Sequence, residues 1–281
     1  MITVDNRQQG NQQKERIAGL YQRVAARYGQ IGPDLFSYVG EHLVERIGLS
    51  EGARVLDVAA GRGANLFAAA RKVGPRGEVI GIDLAAGMVQ ETTAEIARRQ
   101  LRNVRMFQMD AEALAFPDAS FDALLCGFAI FLFPHLERTL VEFSRVLRPG
   151  GRLGISVARD LSPFARWYGE HITSYHQRYA IPLAAGGGKG REYAELPHYL
   201  SEAGFADVQL LQEQADFVYA NAQEWWDSRW THGPRFALEH MEPKILTRFK
   251  AEVLARLAQE EQQDGLHESM LVSYFLATNA K

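Results

Sequence analysis

The stretch Arg54 to Phe67, Arg-Val-Leu-Asp-Val-Ala-Ala-Gly-Arg-Gly-Ala-Asn-Leu-Phe, running on into Ala68, Ala69 and Ala70, limits what this chain can fold into more than any other part of it. Val55, Leu56 and Val58 make a short apolar, β-branched run suited to a buried parallel strand. Gly61-x-Gly63 breaks that run, and the Ala-rich segment after it favours a helix. A strand, a tight turn and a helix N-terminus in this order let a ligand lie against bare backbone, because glycine tolerates positive φ and has no side chain to hold the ligand off.

Two cofactor classes use such a turn. A dinucleotide fingerprint continues Gly-x-Gly-x-x-Gly or Ala, but Leu66 occupies the third position, and Asp57 places a carboxylate four residues before Gly61. A pyrophosphate is repelled by that charge, whereas a cofactor carrying an ammonium and a sulfonium is attracted. The string from Val55 to Gly63 resembles the first motif of class I S-adenosylmethionine-dependent methyltransferases. That resemblance implies cofactor contacts from Asp57, Ala59, Gly61, Gly63 and Asn65.

At 281 residues the chain suits one large α/β core with an inserted or appended cap. Charged residues are 23% and hydrophobic ones 47%, with net charge -3, as in ordinary globular proteins. No run of Lys and Arg occurs, so nucleic acid is disfavoured as a partner. The single cysteine, Cys126, excludes an internal disulfide and a thiolate metal cage, and it lies in an apolar run, where a buried, inert thiol is expected. A cytoplasmic location and no metal are the expectation. Met1 to Gln13 is polar and Gln/Asn-rich, read as a frayed tail rather than a signal peptide or a membrane-inserting segment.

Helical periodicity covers Gln13 to Tyr28 and Leu35 to Ile47, before the first strand. After the glycine turn, Glu78 to Asp83 reads as a second strand ending in an acid, 20 residues beyond Gly63. An acid there can accept both ribose hydroxyls, of NAD or adenosylmethionine alike. Met88 to Gln100 is the next helix, Val104 to Met109 a third strand, Ser120 to Phe128 a fourth, Leu136 to Leu147 a helix, and Arg148-Pro-Gly-Gly151 a sharp turn into a strand from Arg152 to Ala158.

The segment Asp110 to Asp118 is similar to the one whose acid bonds the adenine amine in adenosylmethionine enzymes, and Phe143 to Leu153 is similar to their lead into strand five. The resemblance thus spans Val55 to Ala158. It implies a Rossmann-like, doubly wound, seven-stranded mixed sheet of six parallel strands and one antiparallel, with S-adenosyl-L-methionine as cofactor and S-adenosyl-L-homocysteine as its product. Implied cofactor residues are Asp83, Leu84, Met88, Asp110, Ala111, Glu112, Gly127 and Phe128, joined by Tyr28 from the preceding helices, which in this group often fold over the methionine end.

Beyond Ala158 the strand-helix alternation stops. Ser162 to Tyr179 is aromatic and helical, Ile181 to Gly190 contains Ala-Ala-Gly-Gly-Gly-Lys-Gly, and Tyr193 to Ala203 is helical. Ala206 to Tyr219 reads as strand six, Asn221 to Trp230 and Pro243 to Gln262 as helices, and Ser269 to Thr278 as the last strand. The expected organisation is N-terminal helices over the cofactor site (1–50), an α/β core (51–158), a lid segment (159–205), core strand six (206–220), a second lid segment (221–265) and the last core strand (266–281).

No Ser/His/Asp order, His-Glu-x-x-His or Walker sequence is present, and a methyl donor activated on cationic sulfur requires none. If the acceptor needs a general base, His171, His232 and His135 are the candidates. All four tryptophans fall in the lid segments, with Trp167, Tyr168 and Trp226 as substrate candidates beside Phe131 and Phe133 after strand four. Packing of the lid is the competing explanation for most of these aromatics. The Asn-Pro-Pro-aromatic motif of DNA and protein amide methyltransferases is absent, Gly127 to Phe131 standing in its place.

The pattern looks most like the ubiquinone, menaquinone and secondary-metabolite methyltransferases, which implies methyl transfer to O, N or C of an apolar or aromatic small molecule. Alternatives are an NAD-dependent oxidoreductase, and a methyltransferase fold retaining adenosylmethionine as sensor or cyclase. The amphipathic first helix, or the lid, could serve a homo-oligomer.

Overall fold

The computed structural model describes residues 4–160, 162–182 and 193–281, with side chains from residue 8 onward and that of residue 160 excluded. The Ala-Ala-Gly-Gly-Gly-Lys-Gly segment (184–190) lies outside the described residues.

Helix α1 (Val4–Val24) runs through a single turn at Ala25–Arg27 and a loop into α2 (Leu35–Ile47), which Asp34 caps by accepting the Ser37 N–H at 3.3 Å. Then come β1 (Arg54–Val58), α3 (Ala64–Val73), β2 (Glu78–Asp83), α4 (Ala86–Arg98), β3 (Val104–Gln108), β4 (Phe121–Gly127), α5 (Leu136–Val146) and β5 (Leu147–Asp160). The remaining elements are α6 (Pro163–Tyr179), α7 (Leu196–Ala203), β6 (Phe205–Tyr219), α8 (Ala222–Ser228), α9 (Arg235–Leu238), α10 (Pro243–Leu257) and β7 (Leu266–Asn279).

The sheet order is β3-β2-β1-β4-β5-β7-β6. Strands β1 to β5 pair in parallel, and β7 enters between β5 and β6 antiparallel to both, so six strands share one direction as expected. Val55, Leu56, Asp57 and Val58 are all 0% exposed because helices cover both faces of this central strand. Apolar residues of α2, α3 and α4 pack on one face, and those of α5 and α7 on the other. The order reverses at β1, whose neighbours are β2 and β4, and a crevice at such a reversal is where open α/β sheets bind ligands.

The Arg148 to Gly151 turn lies inside β5: pairing with β4 jumps from Phe121↔Leu147 to Ala123↔Arg152, a bulge rather than a separate loop. A larger correction concerns the N-terminus. Instead of fraying to Gln13, the chain is helical from Val4. Gly10 lets α1 approach so closely that a Cβ there would collide with the His135 ring, and Leu20 and Val24 are buried with Met88 of α4. The first helix therefore docks on its own core. A third apolar cluster joins α6, α8, α9 and α10 to the ends of β6 and β7, around Phe249, Trp225 and Trp226.

Candidate functional site

The glycine turn is held from three directions. Asp83, at the end of β2, accepts the Gly61 N–H at 2.9 Å through one carboxylate oxygen and the Ala85 N–H at 2.9 Å through the other. Thr92 Oγ1 donates to the Gly61 carbonyl at 2.7 Å, and Arg62 donates to the Ala25 carbonyl at 2.6 Å, tying the turn to the segment after α1. Gly61 and Gly63 have φ of 53° and 85°, in the left-handed region that glycine enters without a Cβ penalty. Ala59 and Phe128 share that region at φ 54° and 52°, each the first residue past the carboxyl end of its strand, β1 and β4 respectively. Strained backbone of this kind persists only where surrounding structure imposes it, and it clusters at ligand sites.

A cavity opens along this edge, walled by Ala59, Gly61, Asp83, Leu84, Met88, Asp110, Ala111, Gly127, Phe128 and Phe133, with Lys14, Tyr21 and Tyr28 closing it from the N-terminal side. Gly63 and Asn65 line the adjoining polar cleft together with Tyr28, Gly61 and Phe128. Burial raises the Asp83 carboxyl, partly offset by the backbone N–H groups it accepts. Burial also holds the Tyr21 phenol at about 12, with Asp83 adding to the effect.

Asp57 and Glu112 stand differently from their neighbours. Asp57 is 0% exposed beneath the turn and lines neither cavity; one oxygen accepts Asn65 Nδ2 at 3.0 Å, while Oδ2 has no partner. Burial raises this carboxyl to about 7 despite the Asn65 bond. Glu112 is 2% exposed and engages Lys14 Nζ at 2.6 Å and His135 Nδ1 at 3.0 Å. Lys14 also reaches Asp110 at 2.8 Å, so an α1 cation sits on the acid expected to meet adenine. Sequence reading missed Lys14 because its partners lie 96 and 98 residues away.

A second cavity, about 270 Å³, shares Tyr21, Tyr28 and Phe128 with the first. Its further walls include Phe36, Phe131, Ala158, Tyr219, Arg229, Thr231, His232 and Met270. Of the three candidate histidines only His232 lies here. Burial first, and the Arg229 charge second, push its imidazole down to about 3. His171 is instead stacked between Trp167 and Phe249 in the third cluster, with ring centroids 4.6 and 5.2 Å away, and His135 is the residue before α5 that contacts Glu112.

The structure likewise moves Trp167, Tyr168 and Trp226 away from both cavities. Trp226 is 3% exposed in the third cluster, and the Tyr168 ring stands 5.3 Å from Trp225. These aromatics supply the apolar faces by which four helices pack on one another, although the Tyr168 hydroxyl is buried there without a hydrogen-bond partner. Arg229, Tyr219 and Thr231 were missed for the opposite reason: nothing near them in sequence marks a site.

The residues present fit adenosylmethionine. Asp83 offers lone pairs beyond those its backbone donors occupy, Leu84 and Met88 give an apolar wall, and Gly61 and Gly63 carry no side chain to hold a ligand off the turn. Among the described residues no cluster of three or more His, Cys, Asp or Glu could hold a metal ion, and no helix is long and apolar enough to cross a membrane. Cys126 is buried and its thiol raised well above the usual range, chiefly by burial.

Residues 55–151 match the family described as methyltransferase domain. The chain is 32% identical over 254 residues to nocamycin O-methyltransferase from Saccharothrix syringae, covering 85% of this chain and 89% of that protein. It is 28% identical over 219 residues to demethylmenaquinone methyltransferase from Geobacillus kaustophilus, covering 70% and 91%. Among solved structures, the YcgJ protein from Bacillus subtilis superposes with a TM-score of 0.59 at 22% identity, covering 87% of this chain and 99% of that one. With the fold, the glycine turn and these relatives in agreement, the chain belongs to the S-adenosylmethionine-dependent methyltransferases.

Proposed function

We propose that the protein methylates a largely apolar or aromatic small molecule, with the donor in the first cavity and the acceptor in the second. The observation that carries this reading is the wall common to the two cavities, Tyr21, Tyr28 and Phe128. When bound, adenosylmethionine supplies a methyl group already activated on a cationic sulfur.

The chain's own residues bind, orient and exclude water. Asp83 would accept the ribose hydroxyls, Asp110 the adenine amine once Lys14 yields it, and the Gly61 to Asn65 backbone the methionine end. Asp57 acts from beneath, holding Asn65 and through it the turn. Tyr28 stacks on Phe36 with centroids 4.7 Å apart, and Phe36 meets Phe128 edge-on at 5.6 Å, giving a rigid aromatic collar between donor and acceptor. The cluster formed by α6, α8, α9 and α10 serves as the lid, its Trp and Tyr residues stiffening it while Phe131 and His232 face the acceptor.

His232 is a hydrogen-bonding rather than a proton-abstracting residue in this scheme, because an imidazole held at about 3 is too weak a base to take a proton near neutrality. The names of the relatives, one an O-methyltransferase and one acting on demethylmenaquinone, support an oxygen or ring-carbon acceptor of a polycyclic or quinone-like molecule.

The test is transfer of a labelled methyl group to a panel of hydroxylated and carboxylated aromatic compounds, repeated with Phe131→Trp. Filling the second cavity should cut transfer while leaving adenosylhomocysteine affinity unchanged. Unimpaired transfer by that variant would place the acceptor elsewhere.

A further inference from the structure

The second cavity is apolar on most sides, formed by Ile31, Leu35, Phe36, Phe128, Phe131 and Met270. One sector differs: Tyr219, Ser228, Arg229, Thr231 and His232 bring polar groups to the same wall. Arg229 is 8% exposed and is built in from three directions. Its Nε donates to Ser228 Oγ at 3.1 Å, its Nη2 donates to the Tyr219 hydroxyl at 2.7 Å, and its guanidinium lies over the Trp225 ring at 4.3 Å.

The countercharge for this cation is Glu268, 6% exposed on β7, which Arg229 shares with Tyr219. Its strong bond is to the Tyr219 hydroxyl, which donates to Oε2 at 2.8 Å, whereas Arg229 Nη1 stands 3.5 Å from Oε1. A charge-assisted pair normally closes to about 2.7–2.9 Å. Glu268 does not line the cavity, whereas Arg229 does, and the three bonds named here use three of the guanidinium's five N–H donors, leaving two for a ligand at this wall. The neighbouring imidazole stays uncharged and does not compete for an anion.

We propose that this sector selects acceptors bearing an acidic oxygen, a carboxylate or the ionised hydroxyl of a phenol or enol, held by Arg229. This rests on the reading of the second cavity as the acceptor site. An ionised oxygen needs no base: its lone pair forms the new C–O bond as the C–S bond breaks and returns its electron pair to sulfur. Anion and sulfonium thereby become a neutral ester or ether and a neutral thioether. The arrangement explains why the cavity pairs a fixed cation with a histidine that cannot serve as base, and it makes Arg229 the residue that decides which molecules are accepted.

The test uses the full chain saturated with adenosylhomocysteine and reads tryptophan fluorescence, Trp225 being in contact with Arg229. Two matched pairs serve as probes: 2-naphthoate against 2-naphthamide, and 2-hydroxy-1,4-naphthoquinone, ionised at neutral pH, against its 2-methoxy ether. The ionised member of at least one pair should bind about tenfold or more tighter, the size expected for hydrogen bonds to a charged group. Preference in the first pair alone identifies a carboxylate, and preference in the second an acidic hydroxyl.

Arg229→Met should erase the preference while leaving the neutral probes within about twofold, and Glu268→Gln, which removes the rear countercharge, should enlarge it. A purely structural network predicts that both variants weaken ionised and neutral probes alike. Equal affinities within both pairs in the unaltered protein overturn the proposal but leave the cavity as acceptor site. No saturable binding of any probe, with adenosylhomocysteine bound, overturns both.

Discussion

Asp83 holds Gly61: its carboxylate accepts the Gly61 N–H at 2.9 Å across the gap between the ends of β2 and β1. The acid that would read the ribose therefore also sets the conformation of the turn that receives the rest of the cofactor. Asp83→Ala should weaken adenosylhomocysteine binding about 10- to 100-fold by calorimetry, the worth of lost bonds to a charged acceptor. Asp83→Asn, which keeps one acceptor oxygen, should fall between. Equal affinity in all three proteins would remove Asp83 from the site.

Gly61 tests the turn without touching a charge. At φ 53° a β-branched side chain is strained, so Gly61→Val should reduce cofactor affinity at least tenfold and lower stability by about 1–3 kcal/mol, read from denaturant unfolding. Retained affinity would mean that the backbone there does not approach the ligand.

Asp57 makes a pH prediction whose sign follows from its burial. Its carboxyl is raised from 3.8 to about 7, so across that interval the folded chain binds more protons than the unfolded one. The stability this group contributes is present at low pH and is lost as pH rises toward 7. Asp57→Asn should therefore gain melting temperature relative to the unaltered protein as pH is raised from about 5 to about 8. A difference that is flat with pH would show that Asp57 ionises normally.

Lys14 joins α1 to two acids, one of them, Glu112, only 2% exposed. Lys14→Met leaves that carboxylate with His135 alone and should cost about 1–3 kcal/mol, with Glu112→Gln in the same chain restoring part of the loss. Additive losses in the double variant would show that the pair carries no coupling.

His232 separates two kinds of acceptor chemistry. As a hydrogen-bonding group, His232→Asn should keep kcat/KM within about fivefold, whereas loss of a general base costs about 100- to 10,000-fold. A pH-rate inflection near the usual histidine range that vanishes in the variant would restore the base role.

The parts legible in the sequence share a physical origin. Asp83 and Asp110 lie at or just beyond strand ends, so the strand pattern alone carries them to one sheet edge, and Gly61 and Gly63 mark a backbone need that few other residues can meet. The second cavity was not legible because Tyr219 and Arg229 reach the Phe128 side of the sheet only through the long-range β5–β7–β6 pairing and the seating of α8, neither of which leaves a local pattern. Aromatic abundance points to the lid segments but not to which rings pack inward, so Trp167, Tyr168 and Trp226, expected beside the acceptor, line neither of the two cavities. The polar first half of α1 looked like a tail because its anchors are a close-approach glycine and a salt bridge, not an apolar stripe.

The most direct test of the account is calorimetric titration of the full chain with adenosylhomocysteine and, separately, with NADH, each repeated on Asp83→Ala. Saturable one-to-one binding of adenosylhomocysteine that Asp83→Ala weakens, with no NADH signal, is the predicted result. Saturable NADH binding with no response to adenosylhomocysteine would contradict it.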